Sequence, residues 1–292
     1  DGEGVSRTID NLTKEYRSLE QLEKSKDAAI VSSAIRYVEQ KIDVELTGLS
    51  ISAYADAPVG SGLGASSAFT CAVVAALWEL TSIPRSPLEI AKDAYHVERE
   101  LAGLSGGWQD HVVSSFGGLV LVEFDHAGIS GVQKVEMSSG WRLYLESMFE
   151  LVSLGQSRQG SKIIDDQSSA GQNKNSDQYK ALASMSELPR QGYQALTSGN
   201  LECFMELMKR GWELKKTTST MVSSLEYDKI HDDLFDNGAK VSKITGAGGG
   251  GHMIVLVELS ERQRLRKFLT QAQLKYSQTS FSDEGVRAWN LT

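Results

Sequence analysis

The residues with the most chemistry in their types and spacing run from Asp56 to Ser67: Asp-Ala-Pro-Val-Gly-Ser-Gly-Leu-Gly-Ala-Ser-Ser. Gly60, Gly62 and Gly64 fall at every second position. Lacking Cβ, such residues let backbone N–H groups turn outward and come close to a ligand. The run opens into a stretch from Ser66 to about Leu80 with apolar residues on nearly every side (Phe69, Val73, Val74, Ala76, Leu77), which reads as a buried helix. The mouth of a helix presents free N–H groups and a macrodipole that both favour an anion. Ser66 and Ser67 add hydroxyls there. Together these residues read as a phosphate cradle, with Ser67 in reach of a phosphate-bound Mg2+.

Other readings of the loop compete with the phosphate cradle. A Walker A loop needs Gly-Lys-Ser/Thr after its glycines, and no lysine is present. Gly60, Gly62 and Ala65 nominally match the dinucleotide pattern G-x-G-x-x-G/A. Its ribose-binding acid should end a second strand about 20 residues on, whereas Glu79 ends a predicted helix. The bland alternative is a glycine turn that only lets a helix pack.

Two more stretches carry chemistry. In Glu98-Arg-Glu-Leu-Ala-Gly-Leu-Ser-Gly-Gly-Trp-Gln-Asp-His111, two carboxylates stand twelve residues apart across a glycine turn. Phosphoryl transfer needs a metal at the phosphate oxygens and a group that takes the attacking hydroxyl's proton. Glu98 and Asp110 suit those tasks; the alternative is a solvated helix face and a carboxylate stabilised by a helix dipole. Lys243-Ile-Thr-Gly-Ala-Gly-Gly-Gly-Gly-His252 holds four consecutive glycines. Ordering them costs much conformational entropy, which favours a functional loop over a flexible hairpin turn. Thr245 is a plausible hydroxyl contact, and Lys243 and His252 read as strand residues.

Pro58-x-Gly-x-Gly-Leu-Gly-x-Ser-Ser-Ala68 resembles the second signature of the GHMP small-molecule kinases, which include galactokinase, homoserine kinase, mevalonate kinase and phosphomevalonate kinase. The other two stretches resemble later family segments in the expected order, and the likeness runs from about residue 45 to 287. It implies a two-domain α+β fold, ATP and Mg2+ as cofactors, and transfer of the γ-phosphoryl group to a sugar or sugar phosphate. By this resemblance Pro58, Gly60, Ser61, Gly62, Leu63, Gly64, Ala65, Ser66 and Ser67, with Gly246, Gly248 and Gly249, hold the nucleotide. Ser67 and Glu98 hold Mg2+, Asp110 is the base, and Asp110, Arg158 and Gly249 meet the substrate. The Gly-Gly-Trp-Gln-Asp and Ser-Phe-Gly-Gly-Leu119 runs are most similar to the heptose 7-phosphate kinase branch; Trp-Gln-Asp is also similar to the fucokinase branch. His111 stands where glutamine is expected. Leu154-Gly-x-x-Arg158 with Ile163-x-Asp-Asp-Gln167 also resembles the heptose branch. Arg158 and Lys162, four residues apart, are the candidate cations for a substrate phosphate, a surface arginine being the equal alternative for Arg158.

The family's first signature, of Pro-x-Arg type, has no counterpart in residues 1–44, and the chain begins at Asp1. The expectation is a processed or trimmed chain, with an N-terminal domain short of a strand and weak in phosphorylation. A non-catalytic sugar- or partner-binding protein of the same fold is the alternative from another class.

With 292 residues the chain has room for two domains, expected at 1–145 and 146–292. A net charge of −8 argues against electrostatic binding of nucleic acid or an anionic membrane. No apolar run reaches the roughly 18 residues of a spanning helix. Cys71 and Cys203 lie in predicted helices and read as core residues in a reducing cytoplasm. Oligomeric state is left open.

The elements that must position this chemistry follow from periodicity. Residues 1–26 show a weak helical pattern (Leu12, Tyr16, Leu19, Leu22), and Ala28 to Lys41 a clear one. A strand is expected over 49–55, and a helix opens at the capping box Ser86-Pro-Leu-Glu89 and reaches about Leu101. A short helix is expected over 108–116 and a strand over 119–124; 125–145 reads as irregular. A strand over 149–154 precedes helices at about 178–198, 200–217 and 224–236, the last stopped by Asn237-Gly238. Strands over 240–245 and 252–259 flank the second glycine loop, and Ser260 is expected to cap a helix to about Tyr276. Without regular βα alternation, α+β is the expected class.

Overall fold

The computed structural model describes residues 5–9, 12–14, 22, 28–57, 60–126, 128–155, 160–171 and 173–290. They form two compact units. Residues 1–58, 64–117 and 283–292 make the first, and 59–63 with 118–282 the second.

In the first unit, helical spacing of Val31, Ala34, Ile35 and Val38 gives α1 (Ala29–Ile42) one buried face. It packs on α2 (Ala65–Leu80), whose Cys71, Val74, Leu77 and Trp78 are buried. Helix α3 (Pro87–Tyr95) begins as expected: Ser86 accepts from the Glu89 N–H, and the Glu89 side chain accepts from the Ser86 N–H. It continues into a wider π turn, His96–Leu101, and α4 (Gln109–Phe116) follows. A three-stranded sheet accompanies these helices. Strand β1 (Val5–Ile9) pairs antiparallel with β2 (Leu12–Lys14) and parallel with β3 (Ile51–Ala53). The weak helical pattern of 1–26 is therefore overridden where Leu12 lies in a strand: β1 gains a ladder partner on each side.

The chain's last stretch returns to this unit. The Val286 N–H donates to Ser114 O at 2.8 Å, and Val286 and Ala288 pack on the core. Backbones meet so closely here that a Cβ on Gly285 would lie 2.0 Å from Ser115 O.

The second unit holds a hairpin of β4 (Val120–Asp125) and β5 (Gly128–Lys134), then α5 (Ser139–Met148). Residues 125–145 are thus mostly regular, contrary to expectation. Gly128 and Gly131 sit inside the hairpin, opposite Asp125 and Glu123, and a bulge shifts the register beside them. The boundary by compactness falls at Gly117–Gly118, and residue 145 lies inside α5.

The main sheet is antiparallel in the order β7-β8-β6-β9, from β6 (Phe149–Gly155), β7 (Ala239–Ile244), β8 (Gly251–Val257) and β9 (Tyr276–Gln278). Its core includes Val152, Trp212, Leu234, Ile244, Val255 and Leu265. The helices are α6 (Gly160–Ala170), α7 (Asp177–Thr197), α8 (Leu201–Thr218), α9 (Leu225–Asp236) and α10 (Arg262–Gln271). Glu261, with no side-chain cap bond, precedes α10, so Ser260 does not cap it and the helix stops short of β9. Among the described residues, no helix is long and apolar enough to cross a membrane.

Glu150 is a buried charge on β6. Its Oε1 accepts from Arg266 Nε at 2.9 Å and Nη2 at 2.6 Å, and Arg262 Nε lies 3.1 Å away. Removing one partner of a buried pair costs about 3–5 kcal/mol. Arg266 keeps a third of its exposure, so Glu150→Ala is expected to lose about 3 kcal/mol, the low end of that range. Urea denaturation of the two proteins checks this.

Candidate active site

The two glycine runs meet in the second unit, at backbone contact. Gly60 and Gly62 adopt φ +76° and +71°, a region side chains rarely enter. A Cβ on Gly62 would lie 2.9 Å from Thr245 Oγ1, one on Gly246 3.0 Å from Gly62 Cα, and one on Gly251 2.4 Å from Ser61 O. His252 Nδ1 lies 2.9 Å from the Ser61 carbonyl, and since a carbonyl only accepts, Nδ1 carries the hydrogen. His252 is thus a clamp between loops as well as a strand residue. Thr245 spends its hydroxyl on His252 O at 3.1 Å. Gly248 N–H donates to Thr245 O and Gly249 N–H to Val222 O, so both shape the loop from within. The Lys215 ammonium, on α8, donates to Gly246 O. Sequence reasoning missed Lys215, because only the fold brings α8 to the loop.

From Gly64 onward the chain belongs to the first unit. Gly64, at φ +73°, precedes α2 and, as a glycine, makes no side-chain cap bond. The first-turn N–H groups at Ala65, Ser66 and Ser67 therefore lack the side-chain acceptor that Ser86 gives α3. Asp110 lies in the first turn of α4, half-buried beside Gly64, where a Cβ would be 3.6 Å from its Cγ. The ring of Trp108 stacks on Tyr95 at 3.5 Å and pins the turn before Asp110.

Glu98 comes from the π turn, where the Ala102 N–H reaches back five residues to Val97 O at 2.9 Å. Such widened turns recur at functional sites. The carboxylate is fully buried. Ser66 Oγ donates to its Oε1 at 2.5 Å and Ser67 Oγ to its Oε2 at 2.9 Å. His111 Nε2 lies 2.5 Å from Oε2, and Arg99 Nη1 3.3 Å from Oε1. Burial alone would raise the Glu98 pKa. Hydrogen bonding from His111 and Ser66, with the charge of Arg99, outweighs it and holds the carboxyl below the usual range. Arg99 also donates to Ser67 Oγ at 3.2 Å and Ser105 O at 3.0 Å, and a Cβ on Gly106 would lie 2.5 Å from its guanidinium. It staples the glycine turn to the serine at the helix mouth. Arg99 has no functional reading in the sequence, and His111 is marked there only as standing where glutamine is expected; the signal for both is adjacency to Glu98 and Asp110.

Ser67 and Glu98 fit a hard cation. Mg2+ takes oxygen ligands, typically one or two carboxylates with substrate phosphates and water. An ionised carboxylate beside two hydroxyls is such a set. Among the described residues no cluster of three His, Cys, Asp or Glu could cage a metal. Pro58 and Arg158 lie outside the described residues. Lys162 is exposed in the first turn of α6, and Leu63 is exposed on the loop.

Two family sequence models match: GHMP kinases N terminal domain over residues 29–118, and GHMP kinases C terminal over residues 193–275. The chain is 29% identical over 277 residues to a D-glycero-alpha-D-manno-heptose 7-phosphate kinase of Campylobacter jejuni, covering 95% of this chain and 81% of that one. It is 27% identical over 251 residues to a bifunctional fucokinase/GDP-fucose pyrophosphorylase of Arabidopsis thaliana, covering 83% of this chain and 23% of that one. In fold it is similar to the crystal structure of a D-glycero-D-manno-heptose 1-phosphate kinase from Bacteriodes thetaiotaomicron. The TM-score is 0.73, at 24% identity over 99% of this chain and 83% of that one.

Proposed function

Because this chain belongs to the GHMP kinase family, a family of phosphotransferases, we propose that it transfers the γ-phosphoryl group of ATP to the anomeric hydroxyl of D-glycero-D-manno-heptose 7-phosphate. The observation that carries the reading is the cluster at the mouth of α2: Ser66 and Ser67 on Glu98, with Asp110 against Gly64. Binding alone needs neither an ionised buried carboxylate beside two hydroxyls nor a second acid at the same helix mouth.

In this reading the α2 N-terminus and the first glycine loop hold the triphosphate by backbone N–H groups. Ser67 and Glu98 hold Mg2+, which when bound neutralises charge on the β- and γ-phosphate oxygens. Asp110 accepts the proton of the attacking hydroxyl or orients that hydroxyl. Arg99 keeps the glycine turn and Ser67 in register. Arg158 and Lys162 are proposed for the sugar's own phosphate, which needs fixed positive charge on an acidic chain. Cys71 is buried as expected whereas Cys203 is exposed and not a core residue; two free thiols suit a reducing compartment, and the cytoplasm is the proposed one.

The likeness to the bifunctional fucokinase/GDP-fucose pyrophosphorylase, with the Trp-Gln-Asp110 run that resembles the fucokinase branch, supports a second reading with a free sugar as acceptor. An ADP-release assay with heptose 7-phosphate, unphosphorylated heptose and fucose separates the two. The phosphosugar is expected to give the highest kcat/KM, and preference for fucose would favour the second reading. Arg158→Ala is expected to raise KM for the phosphosugar and leave that for ATP unchanged.

Glu98→Gln keeps the shape and removes the charge. It is expected to raise the Mg2+ concentration for half-maximal rate by at least about tenfold. A magnesium titration at saturating nucleotide checks it.

A further inference from the structure

We propose that His111 is a positioning residue for Glu98, its imidazole fixing the carboxylate in the orientation that presents it, with Ser67, to a nucleotide-borne cation. The inference rests on the phosphotransfer reading above.

His111 follows Asp110 on α4 and is fully buried, as is Glu98. Its Nε2 lies 2.5 Å from Oε2, so the imidazole edge is in direct contact with the carboxylate. An ionised carboxylate only accepts, so Nε2 carries the hydrogen. Among the described residues, the other nitrogen, Nδ1, has no hydrogen-bond partner. An imidazole kept only for packing would not leave a buried acceptor unmet while turning its polar edge to an acid. The neighbours hold the ring still. Tyr95 meets it edge-on with centroids 5.7 Å apart, Trp108 stacks on Tyr95, and Cys71 Sγ, on α2, donates to the His111 carbonyl at 3.6 Å.

Ser66 and Ser67 alone do not fix Glu98, since both hydroxyls rotate and Ser67 also accepts from Arg99. Arg99 Nη1 stands farther off, 3.3 Å from Oε1, and His111 supplies the close contact to Oε2. It also joins the acid to the helix turn that carries Asp110, so the two carboxylates share one support.

The test uses calorimetric binding of ATP with Mg2+ and with EDTA, on wild type, His111→Leu and His111→Gln. A glutamine amide nitrogen lies as many bonds from Cβ as Nε2 does. His111→Leu is expected to weaken Mg2+-dependent binding by about tenfold and leave metal-free binding unchanged, while His111→Gln restores affinity to within about threefold of wild type. Equal affinities of folded His111→Leu and wild type would overturn the inference, as would an equal loss with and without metal. Should His111→Leu not fold, His111→Asn, whose amide is one bond too short, is compared with His111→Gln; equal affinities overturn the inference. Wild-type binding that ignores Mg2+ would instead overturn the phosphotransfer reading, so the two failures are distinct.

Discussion

Asp110→Asn is expected to lower kcat by about 10²–10⁴-fold, the range for loss of a positioned acid–base group. Asparagine keeps the size and one carbonyl oxygen of the side chain but takes no proton at neutral pH. Asp110 rests in the first turn of α4 against Gly64, at the mouth of α2. The substitution leaves the glycines and the Ser66–Ser67–Glu98 cluster untouched, so affinity for Mg·ATP is expected to stay within about twofold. Loss of kcat with binding kept is the signature of an interaction made in the transition state. Steady-state kinetics beside calorimetric ATP binding separates the terms. Turnover near wild type would remove Asp110 from the reaction.

Gly62→Val acts on binding instead. Gly62 holds φ +71°, and its Cβ would lie 2.9 Å from Thr245 Oγ1 and 3.3 Å from Thr245 O. A β-branched residue in left-handed backbone costs about 1–2 kcal/mol. The clash adds displacement of the loop from the second glycine run, and a misplaced N–H on a phosphate forfeits about 1.5–3 kcal/mol. Together these predict Mg·ATP binding weaker by about 100-fold or more. The Gly62→Val protein should still fold, since Gly62 contributes no side chain to either core. Calorimetry on a variant with native circular dichroism decides. Unchanged affinity would mean that the glycine loop does not hold the phosphates.

What the sequence shows of this site is what local chemistry specifies. Alternate glycines before an apolar helix, a capping box at Ser86, and two acids across a glycine turn each depend on neighbours a few residues away. The structure places them accordingly: Gly60, Gly62 and Gly64 at positive φ, Ser66 and Ser67 on Glu98, Asp110 beside Gly64. Contacts made through the fold left no local mark. Lys215 reaches Gly246, His252 reaches Ser61 across 191 residues, and His111 and Arg99 gain meaning only once Glu98 turns inward. β1 and β2 were hidden for a related reason. They are short, and the ladder that stabilises β1 closes with Ile51–Ala53, more than forty residues on. The reading of 125–145 as irregular followed from Gly128, Gly131 and Gly140. The first two lie in β5, where a bulge accommodates them, and the third in α5. The final segment has no periodicity, yet Val286 and Ala288 reach the core because Gly285 and Gly117 allow backbones to touch.

The most direct test of phosphoryl transfer to a sugar phosphate is 31P NMR of the protein with Mg·ATP and D-glycero-D-manno-heptose 7-phosphate. A new anomeric phosphomonoester signal is expected, growing in equal amount with ADP and nearly absent with Asp110→Asn. ATP binding with no new phosphoester on this sugar, on unphosphorylated heptose or on fucose would contradict it.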